Sequence, residues 1–170
     1  MNRLAPDISA HNAQEWRRLD FVLSNRQRPV LLWMSCDTPA LQRAVRAQLG
    51  QRWHSRFAPL SLSVKEAQTS LTAFIQAELP SSVLHSSPGT HVLHLRDLER
   101  HRSWSSPGTP DILLSLNLER EKLFRGFPFH LVIWASPAAT RRVQRQAPDF
   151  WDWVANRFYF QAEAPLGERR

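Results

Sequence analysis

Two short stretches carry residue types that could do chemistry. The first is Ser35-Cys36-Asp37-Thr38, at the end of the apolar run 29–35. A cysteine between a buried strand and a helix start sits where the helix dipole lowers a thiol pKa. A phosphatase-type loop needs Cys, five residues, then Arg. Here that position is Gln42, and Arg43 comes one residue too late. Asp37 also opposes thiolate formation, so a buried structural thiol is the better reading of Cys36. A phosphate-cradling loop, G-x-x-x-x-G-K-[ST], needs bare amides and a lysine at fixed positions. Those positions read Ser35, Ala40, Leu41 and Gln42, and no Gly or Lys lies between Pro29 and Leu49. The helix start after Thr38 still offers amides, but Asp37 repels phosphate from it. The second stretch is Arg96-Asp97-Leu98-Glu99, after HVLHL. Asp97 or Glu99 could hold a metal or polarise a water. A solvated charged turn is the simpler reading.

Other chemistries find no support. His91 and His94 lie three apart on a strand, so they face opposite sides. No HExxH and no GxSxG occurs. No metal and no cofactor is expected. The 170 residues carry 22 Lys and Arg against 15 Asp and Glu, a formal charge of +7. Only Lys65 and Lys122 are Lys. Arginine makes planar, bidentate contacts, which favours an anionic partner or a protein interface. An Arg-rich composition without function is the plainer alternative. Arg141, Arg142 and Arg145 lie just before Trp151 and Trp153. These five are the candidate interaction residues, because Trp and Arg dominate interface hot spots. The basic and aromatic residues are close but not interleaved, unlike a single-strand-binding groove. With Cys36 alone there is no intramolecular disulfide. No apolar run approaches ~18 residues, so a soluble, cytoplasmic chain with no membrane partner is expected.

The elements that must position these residues alternate along the chain. Residues 12–26 have helical spacing. Residues 29–35 read as the first buried strand. Thr38-Pro39 opens a helix with its apolar face at Leu41, Val45 and Leu49, closed by Gly50. Residues 57–63 read as a strand, 64–79 as a helix, and 91–95 as a strand. Residues 103–110 read as a mobile loop and 111–124 as one helix. Residues 129–135 are apolar on both parities apart from His130, the habit of a central parallel strand. Ser136-Pro137 caps the next helix, 138–146, and residues 157–161 form the last strand. Strands separated by helices of this length predict βαβ units and right-handed crossovers. The fold class is α/β, with five mostly parallel strands and helices on both faces. Residues 1–162 are expected to form one domain, with 163–170 a flexible tail.

Residues 113–160 resemble the C-terminal part of a bacterial P-loop NTPase-like domain. The parts concerned are LNLERE (116–121), HLVIWAS (130–136), APDFW (147–151) and RFYF (157–160). HVLHLRDLE resembles a degraded Walker B pattern. The family is that of STAND and AAA-like regulators, found beside tetratricopeptide repeats or effector modules. The resemblance implies a three-layer P-loop-NTPase-like fold. It also implies a degenerate nucleotide site at Ser35, Cys36, Asp37, Thr38, Asp97 and Glu99. The missing phosphate loop makes this an inactive member, and the expected function is a non-catalytic pseudo-NTPase module. It would bind a partner protein in a signalling or defence assembly. The alternative is a nucleotide- or nucleic-acid-binding sensor using the Arg surface.

Overall fold

A computed structural model of the chain describes residues 10–24, 28–67, 70–106 and 111–162. Its centre is a five-stranded sheet: β1 (Leu31–Cys36), β2 (Ala58–Ser63), β3 (His91–Arg96), β4 (His130–Ala135) and β5 (Asn156–Phe160). The order is β2-β3-β4-β1-β5, and every pair is parallel. Every residue of β1 and β4 is buried. That is why their sequences are apolar on both parities. β2 is a half-exposed edge strand and therefore alternates.

Alternate residues send side chains to opposite faces, which makes two cores. One face holds Leu31, Trp33, Leu93, Leu95, Leu131 and Ile133. It is covered by α3 (Leu71–Glu78), α4 (Ser81–Leu84), α5 (Ile112–Leu118), α6 (Arg120–Arg125), α7 (Pro137–Gln146) and α8 (Pro148–Trp153). The other face holds Leu32, Met34, Val92, Val132, Trp134 and Phe158. It packs on α1 (Ala10–Ser24) through Trp16, Leu19 and Leu23, and on α2 (Pro39–Trp53) through Val45, Leu49 and Trp53. Among the described residues, no helix is long and apolar enough to cross a membrane.

The caps behave as expected. Thr38 Oγ1 accepts from Leu41 N at 3.1 Å, and Ser136 Oγ accepts from Ala139 N at 3.1 Å. Three element boundaries differ from the sequence reading. Gly50 does not close α2, which runs on to Trp53 because that ring packs edge-on against Phe57 at 5.9 Å. The helix expected over 64–79 is a 3-10 turn, Val64–Glu66, followed by α3. Ser70 starts α3 by accepting from Ala73 N at 2.9 Å. The helix expected over 111–124 breaks at Glu119 into α5 and α6. The Glu119 carboxylate accepts from the Ser70 and Ser115 hydroxyls and from Thr72 Oγ1 at 2.6 Å. Burial works to raise the Glu119 pKa, but these bonds together hold it below the ordinary carboxylate value. In the loop expected over 103–110, Arg102–Trp104 is a 3-10 turn. Residues 107–110 and the tail 163–170 lie outside the described residues.

Candidate functional site

In a parallel sheet, loops carrying function gather beyond the carboxyl ends of the strands. β1, β3 and β4 bring Ser35–Thr38, Asp97–Glu99 and Ser136 to that edge, with β4 between β1 and β3. Of the six residues assigned to a degenerate nucleotide site, Asp97 and Glu99 line one pocket and Ser35 lines another. Cys36 is buried, and burial followed by the Asp37 charge pushes its thiol up to about 12. A thiol in that state is no nucleophile at neutral pH. Asp37 turns towards β5: Oδ1 accepts from the Tyr159 hydroxyl and Oδ2 from Ala162 N at 3.0 Å. The backbone adds Asp37 N to Phe160 O at 3.2 Å. Asp37 therefore ties the end of β1 to the end of β5. Thr38 is occupied as the α2 cap.

Asp97 and Glu99 also have partners. Asp97 is a non-glycine residue at φ 64, a conformation that Asp tolerates better than most. Its carboxylate accepts from Ser63 Oγ at 2.7 Å. Glu99 accepts from Ser136 N at 2.8 Å, joining β3 to the α7 start. Both line a pocket of about 230 Å³ together with Arg43, Arg46, Arg96 and Arg100. Arg96 donates to Ser61 Oγ at 2.7 Å. None of the four is ion-paired to Asp97 or Glu99. Burial, then Arg96, push Arg46 below the ordinary arginine value, with Arg43 adding and Asp97 opposing. The sequence reading missed this cluster. Its signal was available in retrospect: Arg43 and Arg46 share a helix face at spacing three, and Arg96 and Arg100 flank the two acids.

The five candidate interaction residues divide. Arg141 and Arg145 are exposed on α7. Arg142 is occupied, lying 4.5 Å over the Trp104 ring and donating to Trp104 O at 3.0 Å. Trp151 is half-buried, with its ring edge-on to Trp33 at 5.4 Å and Arg157 over it at 4.3 Å. Trp153 is 37% exposed, between Arg120 and Arg125. Trp151 and Trp153 thus serve different surroundings.

A larger cavity, about 470 Å³, opens beside β5 on the Trp33 face. Ser35, Thr140, Arg141 and Trp151 are among its lining residues. The outer edge of β5 is closed by α1. Tyr159 N donates to Glu15 Oε2 at 2.8 Å, and Gln161 N donates to Asn12 Oδ1 at 2.9 Å. Arg18 and His11 donate to the Arg157 and Tyr159 carbonyls at 3.1 and 2.8 Å. Side chains on these ladder groups prevent the edge from recruiting another strand.

No protein-family model and no curated protein sequence matches the chain. Among solved structures, the Aeropyrum pernix ORC1 protein in complex with DNA is similar, with a TM-score of 0.58 at 14% identity. The likeness covers 96% of this chain and 48% of that one, so this chain spans about half the length of that protein. At such identity the likeness is one of fold, and it agrees with the all-parallel β2-β3-β4-β1-β5 sheet: this chain has a three-layer, P-loop-NTPase-like α/β fold.

Proposed function

We propose that the chain is a non-catalytic, pseudo-NTPase interaction module that binds a partner protein in a bacterial signalling or defence assembly. The observation that carries this reading is the end of β1. The stretch that would cradle phosphates has neither Gly nor Lys, and its one acid is tied to Tyr159 and Ala162. Without the lysine and the bare amides, the charge of a transferring phosphoryl group has no stabilisation there. ATP or GTP with magnesium is expected to leave the melting temperature unchanged. A ligand at ~100 times its Kd adds about 2.7 kcal/mol, which a thermal melt reads easily. A clear shift at millimolar nucleotide sinks the non-nucleotide reading. For the partner, Arg145→Ala with Trp153→Ala is expected to weaken the complex that co-purifies with the chain. Exposed Arg contributes little to folding. Trp153, however, lies edge-on to Phe124 and meets Arg120 and Arg125, so the double variant should lose about 1.5–3.5 kcal/mol. It is therefore compared with the wild type at a temperature where both are folded. An intact complex with the double variant removes this surface from the interface.

The second reading, a nucleic-acid sensor, is favoured by the cluster of Arg43, Arg46, Arg96 and Arg100 and by the +7 charge. The fold neighbour was solved with DNA, which adds a prior for this reading. Each phosphate contact contributes about 0.9 to the slope of log affinity against log salt. Arg43→Ala with Arg100→Ala is therefore expected to flatten that slope by about 2. A slope identical to the wild type's excludes this pocket as the footprint.

A further inference from the structure

We propose that the 470 Å³ cavity beside β5 binds a small aromatic monocarboxylate. It lies on the face of the sheet opposite α2, away from the pocket that holds Asp97 and Glu99, and it is independent of the partner-binding reading. Its volume falls within the range of small-molecule sites. Parallel pairing explains its floor. Trp33 and Ser35 of β1 stand beside Arg157 and Tyr159 of β5, so all four point to this face. Helix α7 supplies one wall through Thr140, Arg141 and Gln144, and α8 supplies Trp151.

The polar groups of the cavity select the ligand. The Trp33 indole already donates to Thr140 Oγ1 at 3.0 Å, and Thr140 sits 3.3 Å from Ser35 Oγ. Those groups are mutually satisfied; Trp33, 1% exposed, lies beneath them, and the half-buried Trp151 ring is the apolar wall. Three arginines line the space, but two are committed. Arg18 is paired with Glu15 and lies over the Phe158 ring at 5.1 Å. Arg157 donates to the Val154 and Trp151 carbonyls at 2.6 and 2.8 Å and covers one face of Trp151. Arg141 makes no ion pair or hydrogen bond among the described residues. One uncommitted guanidinium matches one carboxylate, bidentately. A phosphate dianion would find no second uncommitted guanidinium in the lining, since Arg18 is paired with Glu15 and Arg157 is bonded to backbone carbonyls. An aromatic ring attached to the carboxylate then packs edge-to-face on the accessible part of the Trp151 ring.

The test is calorimetric titration of the full chain with phenylacetate, indole-3-carboxylate and 2-naphthoate. Butyrate and phenylacetamide serve as controls. At least one aromatic acid is expected to bind saturably, at least tenfold tighter than either control. Arg141→Gln is expected to weaken that acid at least tenfold and to leave the amide control unchanged. Because Arg141 is exposed, its melting temperature should equal the wild type's, which separates lost binding from lost fold. Trp151→Leu should weaken the acid and the amide together. Three results overturn the proposal: no aromatic acid saturating below 10 mM (about 10-fold above a Kd near 1 mM), butyrate binding as tightly, or an unchanged affinity in Arg141→Gln.

Discussion

Lowering the pH from about 6.5 towards 4 should destabilise this protein well before its carboxylates titrate. The cause is a pair of buried, neutral histidines. His94 is 7% exposed on β3, and its Nδ1 accepts from the Trp134 indole at 3.0 Å. Burial, then Arg46 and Arg96, bring it down to about 4. His130 is 3% exposed at the start of β4, and its Nδ1 accepts from Val30 N at 3.1 Å. Burial, then Arg56, bring it down to about 4 as well. Between these values and 6.5 the unfolded imidazoles hold protons that the folded ones refuse. The unfolded state binds more protons in that window, so stability rises with pH there and is lost as pH falls. Each group contributes a slope of about 1.4 kcal/mol per pH unit, and the two together roughly 2.7. Glu119, with its depressed pKa, adds its own loss at lower pH still, as it protonates. Urea unfolding at pH 7.5, 6.0 and 5.0 measures the slope. His94→Gln with His130→Gln should flatten it, since an amide can accept the same bonds without titrating. An unfolding free energy that stays constant between pH 6.5 and 5 removes both histidines from the account.

The strands were legible in the sequence because burial on both faces writes itself into every residue of β1 and β4. Thr38-Pro39 and Ser136-Pro137 were legible because a cap and its proline act within four residues. The break at Glu119 was not. It depends on Ser70 and Thr72, more than 40 residues away, and within 111–124 the helical spacing is unbroken. Gly50 misled because a helix-ending glycine and an exposed mid-helix glycine look alike until the partner of Trp53 is known. The site suffered most. Asp37 reads as a charge beside a helix start, and only the return of β5 alongside β1 reveals its bonds to Tyr159 and Ala162. The same parallel pairing creates the cavity at Trp33 and Ser35, which no local pattern announces. Arg141, Arg142 and Arg145 look equivalent as a basic cluster. A helix turns 100° per residue, so Arg142 meets Trp104 while Arg141 and Arg145 do not.

Trp33→Ala should be among the most damaging single substitutions, at about 3–5 kcal/mol, and Trp151→Ala should cost much less. The two rings touch, so burial separates them. Trp33 is 1% exposed in the middle of β1, with Phe150 edge-on at 6.1 Å and its indole bonded to Thr140. Removing it leaves a void under α7 and α8 and strips Thr140 of a donor. β1 itself is paired on both sides, with β4 and β5, and cannot close over the gap. Trp151 is half-buried at the cavity mouth. Its loss removes an edge-to-face pair, about 0.5–1.5 kcal/mol, and an exposed cation–π contact with Arg157, about 0.5–1 kcal/mol. These two contacts total about 1–2.5 kcal/mol, to which the buried part of the ring adds. For a chain of this size each kcal/mol moves Tm by roughly 2–4 °C, so Trp33→Ala should lower it by roughly 6–20 °C. Differential scanning calorimetry of the two variants decides the matter. Equal losses would mean that the Trp151 ring is core and that the cavity beside it is closed in solution. A small loss for Trp151→Ala beside a large one for Trp33→Ala assigns the first ring to the cavity wall and the second to the fold.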